Sequence, residues 1–284
     1  MDADDPVLLE VKGGVATISL NRPDHHNVMG EAEDALFFRY LDLLRTDRDV
    51  RVVVWRGNGP SFSAGRDLTG ETNGDGDGAA GNGAVNGNGA SNGNGHHHGT
   101  AADFELLERG LWSTRLLYEF PVPIVCALKG WCLGTMLERA LLCDIRVAGE
   151  GAKLALPGVD HGLLADSGGL AKLFEIGGSG LALDLALTGR RLDAAEALRL
   201  GLVTQVVPDD DLDEVALDLA RTIAERSPLV VRFLREHVQA LAADGVRGTL
   251  GRGLVGQAFV LGSHDYREHR QARVEDREPR YERR

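Results

Sequence analysis

Apolar and polar positions along the chain fall into short blocks, and the blocks define its elements. Val7 to Val11 and Val15 to Leu20 are strand-length apolar runs joined at Gly13-Gly14, the pattern of a hairpin. Glu31 to Leu44 sets Leu36, Phe37, Tyr40, Leu41 and Leu44 on one broad helical face. Val50 to Trp55 is continuous enough for a buried strand. The densest block begins at Pro123. Ile124 to Leu128 predicts a strand, Gly130 to Gly134 a tight turn, Thr135 to Leu142 a helix and Ile145 to Val147 another strand, followed by a loop rich in Gly and Asp.

Downstream the pattern turns mostly helical. Leu170 to Ile176 and Leu181 to Leu187 predict two short helices parted by GGSG. Asp193 is placed to cap a helix through Leu200, with Glu196 at the third position of a capping box. Leu202 to Val207 predicts a strand stopped by Pro208, and Leu212 to Ala224 an amphipathic helix. Pro228 opens a helix to about Leu241, and Thr249 to Leu261 and Asp265 to Glu275 predict two more. Strands interleaved with helices, then a helical tail, indicate the α/β class. One segment fits none of this. Residues 70–99 are dominated by Gly and Asn and hold almost nothing apolar, so burial cannot offset their ordering entropy. They predict a disordered surface insertion, and the run His96 to His98 inside it offers only adventitious metal binding. Order is expected to resume near Asp103, in a helix reaching Tyr118.

Composition narrows the function. At 284 residues the chain can bury a full core. A net charge of −12 argues against nucleic acid and anionic membrane surfaces as partners. Cys126, Cys132 and Cys143 lie in or beside apolar runs with no metal-ligand spacing, as expected of reduced thiols in a cytoplasmic protein. The acidic start MDADDPVLLE is not a signal peptide, and no run reaches the length of a membrane span. Neither a dinucleotide nor a P-loop fingerprint occurs, and no Gly-x-Ser-x-Gly elbow does either.

Glu138 is the first candidate for chemistry. It is an acid among Met136, Leu137, Ala140 and Leu141, and a buried carboxylate must be paired or hydrogen-bonded. The competing reading pairs it with Arg139 or Arg146 at a surface. The helix begins directly after Gly134, so its first N–H groups face whatever sits beside that turn.

Six stretches in order carry a resemblance: SLNRPDHHNVM, VVVWRGNGPSFSAGRDL, PVPIVCALKGWCLGTMLERALLCDIRVAG, LALPGVDHGLLADSGG, LALTGRRLDAAEALRLGLVTQVVP and SHDYREHRQARVEDREPRY. Together they resemble the crotonase family, the enoyl-CoA hydratase/isomerase superfamily, over nearly all of the chain outside residues 70–99. The resemblance implies an α/β fold, a spiral of repeated ββα units over residues 1–207 with a C-terminal helical trimerisation module at 208–284, assembled as trimers or hexamers. It implies a coenzyme A thioester as substrate, with no further cofactor and no metal. It also implies two backbone N–H groups holding the thioester oxygen, taken here as those of Ala64 and Thr135. Fixed donors of this kind stabilise charge developing on that oxygen better than water does. The NRP and AGxDL loops would surround the CoA moiety through Arg22, His25, Ala64, Arg66, Asp67 and Leu68.

The acids depart from the family pattern. The first glutamate of its hydratases matches Glu138, but the second position holds Gly158. Asp166 lies eight residues further, where dienoyl-CoA isomerases of the family resemble this loop, and Glu138 with Asp166 is the expected proton-transfer pair. Asp160 and His161 share the loop, and an imidazole can shuttle protons near neutrality. The expected activity is isomerisation or hydration of an unsaturated acyl-CoA. The alternatives are C–C or C–halogen cleavage on a CoA ester using Asp166, and a non-catalytic subunit that binds CoA esters or assists assembly.

Overall fold

The computed structural model describes residues 4–67, 114–161, 165, 167–241 and 263–282. The insertion at 70–99, the start of the helix expected from Asp103, the helix expected at 249–261, and the candidates Leu68 and Asp166 lie outside the described residues. In chain order the elements are β1 (Val7–Lys12), β2 (Val15–Leu20), α1 (Glu31–Thr46), β3 (Val52–Gly57), α2 (114–118), β4 (Ile124–Leu128), β5 (Trp131–Leu133), α3 (Thr135–Leu142), β6 (Ile145–Gly149) and β7 (Lys153–Ala155). They continue with α4 (Gly169–Thr188), β8 (Leu192–Asp193), α5 (Ala194–Arg199), β9 (Gln205–Val207), α6 (Leu212–Ala224), α7 (228–241) and α8 (His264–Val274).

One sheet runs β1-β2-β3-β4-β6-β9. β1 and β2 form the antiparallel hairpin, with Lys12 opposite Val15, and every later neighbour pair is parallel. Parallel strands covered on both faces read as unbroken apolar runs, and all of β4 is buried. Period-two alternation divides the strands between two packing layers. Val53, Trp55, Ile124 and Cys126 face α1 and α3 in the main core. Val52, Val54, Val125 and Val147 face α6, whose Ala216 and Ala220 let the helix approach closely. Trp55 anchors the first layer, its ring 4.5 Å from Phe37 and 5.0 Å from Phe62.

A second sheet, β5-β7-β8, begins with a strand, β5, that lies inside what the sequence presents as a turn. Three residues are too few to show a strand period, and β5 exists because it pairs with β7 rather than by its own propensity. α4 breaks at Gly178 (φ 74°, ψ −175°), a kink between two helical segments that accounts for the two expected short helices. Asp193 caps α5 by accepting the Glu196 N–H at 2.8 Å. No helix among the described residues is long and apolar enough to cross a membrane.

Candidate active site

The candidate acid sits on α3, a helix delivered by a tightly constrained turn. A Cβ on Gly130 would fall 2.0 Å from the Pro60 carbonyl, so only glycine lets β5 start beside the loop that precedes Ser61. Gly134 then donates its N–H to Ala155 O at 2.9 Å, and Thr135 becomes the first residue of α3. An N–H in the first turn of a helix has no intrahelical acceptor, so the Thr135 amide faces out of the helix end.

One turn on, Glu138 is 2% exposed. Its Oε2 accepts the backbone N–H of Ser167 at 2.9 Å and of Gly169 at 3.1 Å. Gly169 is the first residue of α4 and Ser167 lies just before its N-cap, a helix end where unsatisfied N–H groups and the helix dipole favour a carboxylate. A Cβ on Gly169 would fall 2.4 Å from Glu138 Cγ, so the approach requires glycine there. The arginines named as surface partners are engaged elsewhere. Arg139 makes a two-pronged contact with Asp34, 2.6 and 2.8 Å, and stacks over the Phe38 ring at 5.0 Å. Arg146 donates to Cys143 O at 2.7 Å, completing a carbonyl where α3 ends, and to Leu202 O, beyond α5.

The segment 61–67 lies between two neighbours. On one side Ser63 N donates to Trp131 O at 2.8 Å and Leu133 N to Ser63 O at 3.1 Å. On the other side are residues 26–29, where His26 and Asn27 take left-handed backbone angles (φ 49° and 54°). That bend brings the His26 carbonyl onto the Ala64 N–H at 2.8 Å. The expectation that Ala64 supplies an oxyanion donor is therefore corrected: its amide is spent on the 26–29 loop. Met29 N donates to Gly65 O and Asp67 N to Met29 O, both at 2.9 Å, in a parallel bridge centred on Arg66. In such a bridge the central residue's own N–H points away from the partner. The Arg66 amide thus faces away from Met29.

The remaining candidates divide. Arg22 is turned inward: its Nη1 donates to Val28 O at 3.2 Å and lies 3.2 Å from Glu33 and 3.5 Å from Asp67. Arg22 and Asp67 thus serve each other, while Arg66 is half-buried and His25 is exposed. His26, at the same bend, sets its Nδ1 3.0 Å from Ser61 Oγ. His161 is exposed at the end of the short helical turn Pro157–His161. That turn also contains Gly158 and Asp160, and the Asp160 carboxylate lies against the end of α4 at Gly189. Sequence reasoning missed Asn27, which is buried and ties the loop together by accepting from Arg22 N at 2.7 Å and donating to Ser61 O at 2.7 Å. It also missed the Arg139–Asp34 pair, whose visible signal was an arginine beside Glu138 in an apolar helix.

The mostly parallel sheet with its flanking helices is that of a crotonase-fold protein. A family model described as enoyl-CoA hydratase/isomerase matches residues 10–284, and the chain belongs to that family. The 2,3-dehydroadipyl-CoA hydratase of Escherichia coli K12 is 31% identical over 222 residues, covering 78% of this chain and 77% of that protein. A carnitinyl-CoA dehydratase of Salmonella typhimurium is 29% identical over 272 residues, covering 94% of each. Among solved structures, an enoyl-CoA hydratase of Bacillus anthracis superposes with a TM-score of 0.84 at 26% identity, covering 99% of this chain and 100% of that one.

Proposed function

We propose that the protein adds water to, removes water from, or shifts the double bond of an acyl-CoA thioester, with Glu138 as the proton-transferring carboxylate. The observation that carries this reading is a buried carboxylate one helical turn beyond the outward-facing amide of Thr135, fixed through one oxygen by Ser167 and Gly169. In this reading the thioester oxygen sits between the N–H groups of Thr135 and Arg66, where fixed donors stabilise an enolate better than water. The direction of the bridge at Met29 supports Arg66 in that role. The printed names of two relatives, a hydratase and a dehydratase, support water chemistry.

The reaction then needs one proton movement at Cα and one event further along the chain. Hydration puts hydroxyl on Cβ and a proton on Cα; isomerisation removes an allylic proton and returns one elsewhere on the conjugated system. Gly158 supplies no second acid, and we assign that role to Asp166 on the sequence alone. The test is a panel of 2-enoyl-, 3-enoyl- and dienoyl-CoA esters run with the full chain and with Glu138→Gln and Asp166→Asn. Turnover that falls at least a hundredfold in Glu138→Gln is expected. Turnover by none of the panel, or an unchanged rate in Glu138→Gln, overturns the reading. The loss in Asp166→Asn, sorted by substrate, separates isomerisation from hydration.

A further inference from the structure

We infer that the first turn of α1 is a clamp that holds the two halves of the site at their working separation, with Asp34 and Arg139 as positioning residues for Glu138. This rests on the reading of Glu138 and Arg66 given above. Each anchor of the clamp is the sequence neighbour of a site residue. Arg139 follows Glu138 on α3, and Asp67 follows Arg66 on the loop beside β5. Glu33 and Asp34, adjacent on α1, reach both. Asp34 grips the Arg139 guanidinium at 2.6 and 2.8 Å. Glu33 lies 3.2 Å from Arg22, and the same Arg22 Nη1 is 3.5 Å from Asp67. Backbone contacts reinforce the loop end: Glu33 Oε2 accepts the Gly30 N–H at 3.0 Å, and Asp67 N donates to Met29 O at 2.9 Å.

The chemistry of the α3 end sets this pair apart from an ordinary surface bridge. The Arg139 side chain is 3% exposed, whereas Asp34 is 25% exposed. A buried guanidinium has to be matched in direction as well as charge, and its planar fork fixes the angle at which a carboxylate meets it. Arg139 also rests on the Phe38 ring, one turn along α1 from Asp34. Rotation of α3 about its axis would break the fork and the ring contact together. Since Glu138 is the preceding residue, the same rotation would swing its carboxylate. Glu138 Oε2 is tied to α4, so α3 is held from α1 through Arg139 and from α4 through Glu138. Reacting groups lose rate steeply with displacements of this order, about a hundredfold for an ångström.

The test uses the full chain. Removing one partner strands a buried charge, so the deciding variant is the double one, Asp34→Leu with Arg139→Met, which removes both charges and keeps apolar volume. With an acyl-CoA substrate found by the panel above, we expect a folded protein whose kcat is about 10- to 100-fold lower and whose binding of a saturated acyl-CoA is within about twofold. A pair with only a structural role would lower Tm and leave kcat and KM of the folded enzyme alone, and that result overturns the inference. If the double variant does not fold, Asp34→Glu decides: it keeps the charge, lengthens the arm by one methylene, and should lower kcat without raising KM. An unchanged kcat there overturns the clamp. Glu138→Gln is measured in parallel. Full activity in Glu138→Gln sinks the proposed function, whereas an inactive Glu138→Gln beside a fully active double variant sinks the clamp alone.

Discussion

Glu138 Oε2 accepts the Ser167 N–H at 2.9 Å, which ties the acid of one helix to the residues that lead into the next. An amide oxygen can accept the same bond. Glu138→Gln should therefore keep the fold and Tm nearly intact while lowering kcat by about 10²- to 10⁴-fold, the usual range for removing a general acid or base. Thermal melts and steady-state kinetics on one preparation check both halves.

The contact between α3 and α4 leaves no room at Gly169, where a Cβ would meet Glu138 Cγ, Cβ and Cα at 2.4, 2.7 and 2.8 Å. Those atoms belong to a buried residue and cannot swing aside. Gly169→Ala should cost about 1–3 kcal/mol by overpacking. It should also lower kcat, because the carboxylate is what gets displaced. Urea denaturation and turnover of Gly169→Ala against wild type measure the two effects.

All three cysteines are free and buried. Burial pushes the Cys132 and Cys143 thiols well above the ordinary range, with the neighbouring thiols adding to it. A thiol held protonated is a poor nucleophile. A chromogenic disulfide reagent should titrate essentially no thiol in the native protein at neutral pH and three after unfolding. Rapid labelling of the native form would contradict the packing around α3.

The C-terminal tail is fastened by charge. The Arg277 guanidinium, with the Arg280 N–H behind it, holds the Glu268 carboxyl at about 2, below its ordinary 4.5. A carboxyl with a lowered folded-state pKa adds stability above its unfolded value and loses it as pH falls from about 4.5 towards 2. Wild type should thus be more stable than Glu268→Gln near neutrality, and the gap should close across that acid window. The group lies at the surface, so added salt should narrow the gap at neutral pH as well. Urea midpoints of both proteins across pH and salt test this.

The helices and parallel strands were legible because their signals are local. The apolar run of β4, the glycines flanking β5 and the Asp193 cap each announce themselves within a few residues. Thr135 and Glu138 fell where a helix start and a buried acid had to be. The Ala64 assignment failed for a reason no pattern carries. It depends on left-handed backbone at His26 and Asn27, neither a glycine, which swings a carbonyl across to a segment distant in sequence. The partner of Glu138 was hidden in the same way. Two donors to Glu138 are backbone amides at and just before the start of another helix, and amides have no residue-type signature.

The break at Gly178 divides α4 into segments with separate duties. The proximal one ends on the Glu138 carboxylate; the distal one carries Leu183 and Leu187 to the outside. A bend without a stiff axis passes little torque. Substitutions that reshape the outer segment can therefore accumulate without retuning the acid.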